Sequence, residues 1–192
     1  MKLNKAMHIK VFSILVLAVI SLQVFAQKKL FSKSGIISFY SKTAIEKIEA
    51  KNKKVLAVID AESNKIEFSV LIKGFEFEKA LMQEHFNEDY LESDKYPKAF
   101  FKGTFDESNL PVTFTNNTTQ ILQVSGNLTL HGVTKAIKTT ATMMVKNKVI
   151  SATSVFAIVL SDYKIKVPAL VANNISKEIT VTINIPSLQE MK

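Results

Sequence analysis

The stretch QILQVSGNLTLHG, residues 120–132, sets the fold class that we predict from this sequence. Apolar and polar side chains alternate along it, and the apolar positions are Leu122, Val124, Leu128 and Leu130. An alternation with a period of two is typical of a β-strand that buries one face. The stretch ends in His131-Gly132, a pair typical of a tight turn. We therefore infer a half-buried antiparallel strand that leads into a hairpin.

The same alternation recurs along the rest of the chain. Residues 65–74 (KIEFSVLIKG) and 177–186 (KEITVTINIP) repeat it clearly. Further strands are predicted near residues 35–41, 54–60, 98–105, 135–145 and 148–160. About eight long strands joined by short turns fit an up-and-down barrel or a sandwich. A closed barrel leaves no unpaired strand edge. We therefore expect a single, mainly β domain.

Residues 1–26 differ from the rest of the chain. Three lysines precede the uncharged run VFSILVLAVISLQVF, which is followed by Ala26. This is the pattern of a signal peptide, and the run is shorter than the ~20 residues that a membrane-spanning helix needs. We predict cleavage after Ala26, a mature domain of residues 27–192 without a membrane span, and a periplasmic or secreted location. Retention of the segment as an N-terminal anchor is the alternative.

The composition limits the classes of function. The chain contains no cysteine, so it has neither a disulfide framework nor a thiolate nucleophile. Its net charge is +8, but every basic residue is a lysine and the lysines are scattered. Arginine supplies the planar fork that recognises phosphates and base edges, so its absence argues against a nucleic-acid partner.

One segment, residues 78–91, breaks the alternation with a helical period. Its apolar half is formed by Leu81, Met82, His85, Phe86 and Tyr90. The helix should end before Pro97, because the residue that precedes a proline avoids helical geometry. A single short helix between strands of a barrel is placed to cover or plug one end.

His85 raises the question of catalysis. Asp89 lies one helical turn away and could orient the imidazole. The sequence offers no cysteine and no G-x-S-x-G motif to supply a nucleophile, so we expect no catalytic residue, and a His85-dependent enzyme is the least favoured hypothesis. The mature chain has one other histidine, His131, far away in sequence, and we therefore predict no metal site. We expect a hydrogen-bonded His85 on the apolar helix face and a turn role for His131.

Three strings of the sequence follow one another as FEFEKALMQEHFNEDYLESDKYPKAFFKG (75–103), GNLTLHGVTKAI (126–137) and FAIVLSDYKIKVP (156–168). In this order they resemble the YceI-like family, a group of exported bacterial lipocalin-like proteins. The resemblance implies an extended eight-stranded antiparallel barrel with a helix near one end. It also implies an apolar tunnel for a polyisoprenoid chain, such as a quinone tail or a polyprenyl lipid, often within a homodimer. The chain departs from the family at Ala136, where proline is common, and at Lys164, where glycine is common; both bear on turn geometry.

The predicted ligand site is the apolar lining of the barrel and its helix. We expect it to consist of Phe68, Val70, Phe75, Phe77, Met82, Phe86, Phe101, Leu122, Val124, Leu128, Phe156, Ile158 and Ile183. The ligand would be an isoprenoid or similar lipid, with no other cofactor. The alternative is the same barrel with a filled core, acting as a structural or interaction module of the cell envelope.

Overall fold

The computed structural model describes residues 29–106, 112 and 114–191. The predicted signal peptide, residues 1–26, and the predicted start of the mature domain lie outside the described residues. Within the described part of the chain, no helix is long and apolar enough to cross a membrane.

Eight antiparallel strands close into a barrel. The strands of the described chain are β1 (Lys29–Lys42), β2 (Lys47–Asp60), β3 (Lys65–Leu71), β4 (Glu76–Phe77), β5 (Lys98–Phe105), β6 (Thr118–Leu130), β7 (Val133–Lys146), β8 (Val149–Val159) and β9 (Glu178–Glu190), with one α-helix, α1 (Ala80–His85). The order around the barrel is β1-β9-β8-β7-β6-β5-β3-β2, and β2 pairs again with β1. The short β4 pairs with β2. The predicted eight-stranded antiparallel barrel with one short helix is confirmed.

The two ends of the barrel differ. At the lower end β1 begins and β9 finishes, and the backbone N–H of Met191 donates to the carbonyl of Lys29 at 2.8 Å. At the upper end lie α1, the turn at residues 43–46 and the long connection at residues 160–177. The helix is therefore placed near one end of the barrel, as the resemblance implies.

Alternating burial along the strands explains the core. On β5, Ala99, Phe101 and Phe105 are buried, whereas Lys98 and Lys102 are exposed. Side chains from all around the barrel pack the lower half into a core; among them are Leu30, Ile59, Val145, Ile150, Ile185 and Leu188. Full burial of each such side chain contributes roughly 1.5–3 kcal/mol, so this end holds much of the stability.

Two tight hairpins join β6 to β7 and β7 to β8. Both central residues of each turn have positive φ: His131 (50°) and Gly132 (71°) between β6 and β7, and Asn147 (51°) and Lys148 (65°) between β7 and β8. Positive φ at both positions defines a type I′ turn, whose twist matches that of the flanking strands. The predicted turn at His131-Gly132 is confirmed.

β1 and β2 are longer than predicted, for two physical reasons. Asn52 occupies a fully buried position of β2, where its amide donates to the carbonyl of Leu71 and accepts the N–H of Lys54, each at 2.9 Å. A satisfied buried amide takes the place of an apolar side chain, so the hydrophobic period does not reach this half of the strand. In β1, the register shifts on both sides of Gly35, where an added Cβ would lie 2.6 Å from Cδ1 of Ile185. This bulge breaks the alternation.

The helical segment is slightly shorter than expected and ends in a π turn. After α1 the chain forms a single π turn, Phe86–Tyr90, closed by the N–H of Leu91 donating to the carbonyl of Phe86 at 2.9 Å. Phe86 and Tyr90 are half-buried against the barrel. Leu81 is 60% exposed and His85 is also exposed, yet both line the same cavity as Met82, Phe86 and Tyr90. The predicted helical face therefore points to the cavity, with Leu81 and His85 at its solvent-exposed edge.

Candidate functional site

An apolar cavity of about 490 Å³ lies inside the barrel. It reaches from Phe105 and Met143 in the lower half to Met82 and His85 of α1 at the upper end. Its size is within the range of small-molecule binding pockets, roughly 300–1,000 Å³. The exposed side chains of Leu81 and His85 belong to its wall, so the cavity meets solvent at the upper end.

All thirteen predicted site residues line this cavity. On the barrel wall they are Phe68 and Val70 of β3, Phe101 of β5, Leu122, Val124 and Leu128 of β6, Phe156 and Ile158 of β8, and Ile183 of β9; near the upper end they are Phe75, Phe77, Met82 and Phe86. Strand alternation places the residues of the barrel wall inward, because residues two apart share a face. That they bind a ligand stays a prediction.

A cluster of four phenylalanines forms the wall beneath α1. The ring of Phe86 lies 5.4 Å from Phe39, 5.5 Å from Phe75 and 5.0 Å from Phe77, measured between centroids. Phe39 also contacts Phe75 at 5.4 Å and Phe77 at 5.7 Å. Each aromatic pair contributes about 0.5–1.5 kcal/mol beyond its buried area. The cluster thus joins β1, β4 and the helical segment into one side of the cavity.

Several cavity residues were missed by the sequence analysis. Phe39 and Ile37 of β1 alternate with polar neighbours, and that signal could have identified them. The inward residues of β7 give a weaker signal because they mix chemical types: Ile137, Thr139, Ala141 and Met143. Small and polar inward residues cannot be told from outward ones by hydrophobicity alone.

Polar contacts connect the segments around the upper rim. Glu46 is the centre: Nζ of Lys79 lies 3.7 Å from its Oε1, and the Asn174 amide donates to its Oε2 at 3.1 Å. The N–H of Ser176 donates to Oγ of Ser41 at 2.8 Å. These contacts attach the start of the helical segment and the 160–177 connection to the turn between β1 and β2.

His85 does not occupy a catalytic arrangement. We expected it to be hydrogen-bonded, but it is exposed at the rim and has no hydrogen-bond or ion-pair partner within the described residues. Water can satisfy an exposed imidazole, so burial imposes no partner on it. Among the residues that the structure describes, no group of three or more His, Cys, Asp or Glu side chains is placed to hold a metal ion.

His131 has a second role besides its turn. Its Nε2 lies 2.6 Å from Oε2 of Glu92, and its Nδ1 lies 3.0 Å from the carbonyl oxygen of Tyr163. The Tyr96 ring packs edge-on against the imidazole, with centroids 4.7 Å apart. The hydrogen bond with His131, reinforced by nearby Lys95, holds the pKa of Glu92 below its usual value. One histidine therefore ties the β6–β7 hairpin to the two segments beside it.

The comparisons with known proteins place this barrel in a family. The family model for the YceI-like domain matches residues 29–186. Among solved structures, a polyisoprenoid binding domain from Saccharophagus degradans shares the fold with a TM-score of 0.74 at 14% identity, covering 86% of this chain and 99% of that one. BcnA of Burkholderia cenocepacia gives 0.66 at 14% identity, covering 79% and 94%.

The YCEI protein of Campylobacter jejuni gives a TM-score of 0.54 at 20% identity, covering 74% of this chain and 84% of that one. The search of curated proteins finds no match. The structural similarities show the fold, and the family model matches most of the chain. This chain belongs to the YceI-like domain family.

Proposed function

We propose that this protein is an exported, non-enzymatic carrier that holds the prenyl chain of a quinone or polyprenyl lipid inside its barrel. The observation that carries the proposal is the cavity of about 490 Å³, whose walls are apolar from the lower half to the upper end. An apolar cavity open to solvent exposes surface that a hydrophobic ligand would cover. The relative from Saccharophagus degradans is described as a polyisoprenoid binding domain, which supports the choice of ligand class.

The energetics of a prenyl tail fit such a cavity. Each methylene moved from water into an apolar site contributes about 0.8 kcal/mol. Association itself costs about 4–15 kcal/mol, so a few five-carbon units are enough for micromolar binding or better. The tail needs no charged partner, and a polar head group would remain at the opening. A barrel with a filled core would leave no such volume, so the cavity favours the carrier over the structural module.

Export and assembly belong to the same proposal. Residues 1–26 would direct the chain to the periplasm or the medium and would be removed after Ala26. N-terminal sequencing of the mature protein should then begin at Gln27. The homodimer that the family resemblance implies remains a prediction, which sedimentation of the mature protein tests.

The test of the carrier is lipid content and uptake. Organic extraction and mass spectrometry of the purified protein should reveal a prenyl lipid, and the delipidated protein should take up a prenyl quinone. Ala141→Phe places a ring in the cavity, whereas Thr140→Phe places the same ring on the outer face of the same strand. We expect the first variant to lose uptake by about tenfold or more and the second to retain it. If neither extraction nor uptake detects a prenyl lipid, the carrier proposal is wrong.

A further inference from the structure

The barrel wall is incomplete between β7 and β8. Their pairing runs from Lys146 opposite Val149 to Ala141 opposite Ser154 and stops there. Beyond this point both strands continue: residues 133–140 pair with β6, and residues 155–159 pair with β9. We call the gap between residues 136–140 and residues 155–159 the β7–β8 window. Five unpaired residues on each side give it a length of about 16 Å.

Side chains frame the window at both ends. At its lower end Oγ1 of Thr139 lies 3.0 Å from Oγ of Ser154, and the Ser154 hydroxyl donates to the carbonyl of Thr140 at 2.9 Å. Above it, the contact between His131 and the carbonyl of Tyr163 joins the two sides again. Hydroxyl groups thus replace the backbone ladder where the strands separate.

The window exposes the inside of the barrel to solvent. Just above the window, Lys135 sits at an inward position of β7, directly opposite the cavity residue Leu128 and in unbroken register with it, yet it is exposed. On the facing strand, the inward cavity residues Phe156 and Ile158 are only half-buried. An inward lysine would be strongly disfavoured if the wall were closed at this level, because its charge would lose water. Unpaired backbone groups along the two edges likewise need water.

Cavity residues stand on both sides of the window. Ile137 lines the cavity from β7, and Phe156 and Ile158 line it from β8. A tail that passes between the two strands would contact these apolar side chains on the inner side of the window. Widening the gap breaks no backbone ladder bond between β7 and β8; the bond that crosses it is the 3.4 Å one from Oγ1 of Thr139 to the carbonyl of Val155. Any equal stretch of the paired wall would lose several ladder bonds.

The other two routes are more obstructed. The lower end is packed with buried side chains, including Leu30 and Leu188. At the upper rim, the contacts of Glu46 with Lys79 and Asn174 tie three segments together above the phenylalanine cluster. The cavity meets solvent there beside Leu81 and His85, and these ties limit how far that opening can widen.

We propose that the lipid tail enters and leaves the cavity sideways, through the β7–β8 window. The proposal rests on the carrier function proposed above and adds the route that the ligand takes. It makes the separation of β7 from β8, rather than motion of α1, the step that limits exchange.

The experiment staples the window shut and measures uptake. The chain has no native cysteine, so introduced pairs are unique. Ala136→Cys with Val159→Cys spans the window, because the register of β7 and β8, if continued, would place these residues opposite each other. Lys102→Cys with Asn127→Cys is the matched control on paired strands, and Glu46→Cys with Lys79→Cys spans the upper rim. Each pair is bridged with a reducible bis-methanethiosulfonate reagent.

Uptake of a dansyl-labelled farnesyl probe from phosphatidylcholine vesicles is followed by stopped-flow fluorescence. We expect the window staple to slow uptake by about tenfold or more, with recovery on reduction and an equilibrium affinity within about twofold of the unstapled protein. The staples on the paired wall and the rim should leave the rate nearly unchanged. Normal uptake with the window staple in place, or slowing by the rim staple alone, would overturn the route.

Single-cysteine variants test the route without a cross-link, in case the bridge does not form. Ala136→Cys carrying a polyethylene glycol maleimide should slow uptake, and Asn127→Cys with the same adduct should not. If the unmodified, delipidated protein takes up no probe, the carrier function itself fails and the route with it. That outcome is distinct from failure of the route alone, in which the unmodified protein binds and the adduct has no effect.

Discussion

Replacing Phe86 with alanine removes the centre of the phenylalanine cluster. The ring contacts three others at 5.0–5.5 Å, and each pair contributes about 0.5–1.5 kcal/mol beyond its buried area. A fully buried phenylalanine loses about 3–5 kcal/mol on truncation, but Phe86 is half-buried and faces an existing cavity. We therefore expect the free energy of unfolding to fall by about 2–4 kcal/mol, or roughly 4–16 °C in Tm.

Leu81→Ala is the matched control, because Leu81 belongs to the same helical segment but is 60% exposed. Its effect should stay within about 0.5 kcal/mol. Urea unfolding, followed by circular dichroism, measures both variants. Hydrogen exchange should show the loss first in residues 80–90, since this part of the segment packs on the barrel through the Phe86 contacts. Equal stabilities for the two variants would refute the assignment of Phe86 as the anchor of the helix.

Three further perturbations follow from the geometry. Glu92 has a pKa below its ordinary value of 4.5 because of its hydrogen bond with His131, so its stabilising contribution is present above pH 4.5 and is lost as the pH falls through the lower, folded-state pKa. Glu92→Gln should therefore flatten the acid limb of the urea midpoint against pH; an unchanged limb would contradict this. Lys148→Gly should raise the free energy of unfolding by about 0.5–1 kcal/mol, because φ is +65° at this position and glycine adopts such an angle without strain. A lower Tm of the variant in calorimetry would exclude this account. Lys135→Gln should weaken binding of a prenyl phosphate about three- to tenfold and leave binding of a prenyl alcohol unaffected. Lys138→Gln, on the outer face of the same strand, is the control. Equal losses of affinity for both ligands would argue against a charge contact.

The sequence predicted the barrel because most inward positions are large and apolar. In β6 and β9 most inward residues are leucine, valine or isoleucine, so the alternation is plain; they are Leu122, Val124, Leu128, Leu130, Ile179, Val181, Ile183 and Ile185. The predictions were incomplete where an inward position holds something else. The buried, polar Asn52 interrupts the apolar alternation of β2, so half of that strand was not predicted. Gly35 and its bulge interrupt the alternation of β1. Such residues are explained by contacts with distant strands, which a local pattern does not contain.

The sequence predicted the residues that line the cavity, but it did not predict where the cavity opens to solvent. A sequence can show which side chains face inward, but it cannot show where two paired strands part. The end of the β7–β8 ladder at Ala141 and Ser154 falls within two strands that both look continuous. The bond between His131 and Glu92 was likewise hidden, because the two residues are brought together by separate turns.

The meeting of β1 and β9 at the lower end has a practical consequence. Lys29 and Met191 are hydrogen-bonded neighbours, on the side of the barrel opposite to α1 and away from the β7–β8 window. A biotin or a fusion partner attached at the C-terminus would therefore leave both openings clear. Immobilised in that orientation on a sensor chip, the protein could exchange lipid with vesicles passing over it, which makes direct kinetic measurement of capture and release practicable.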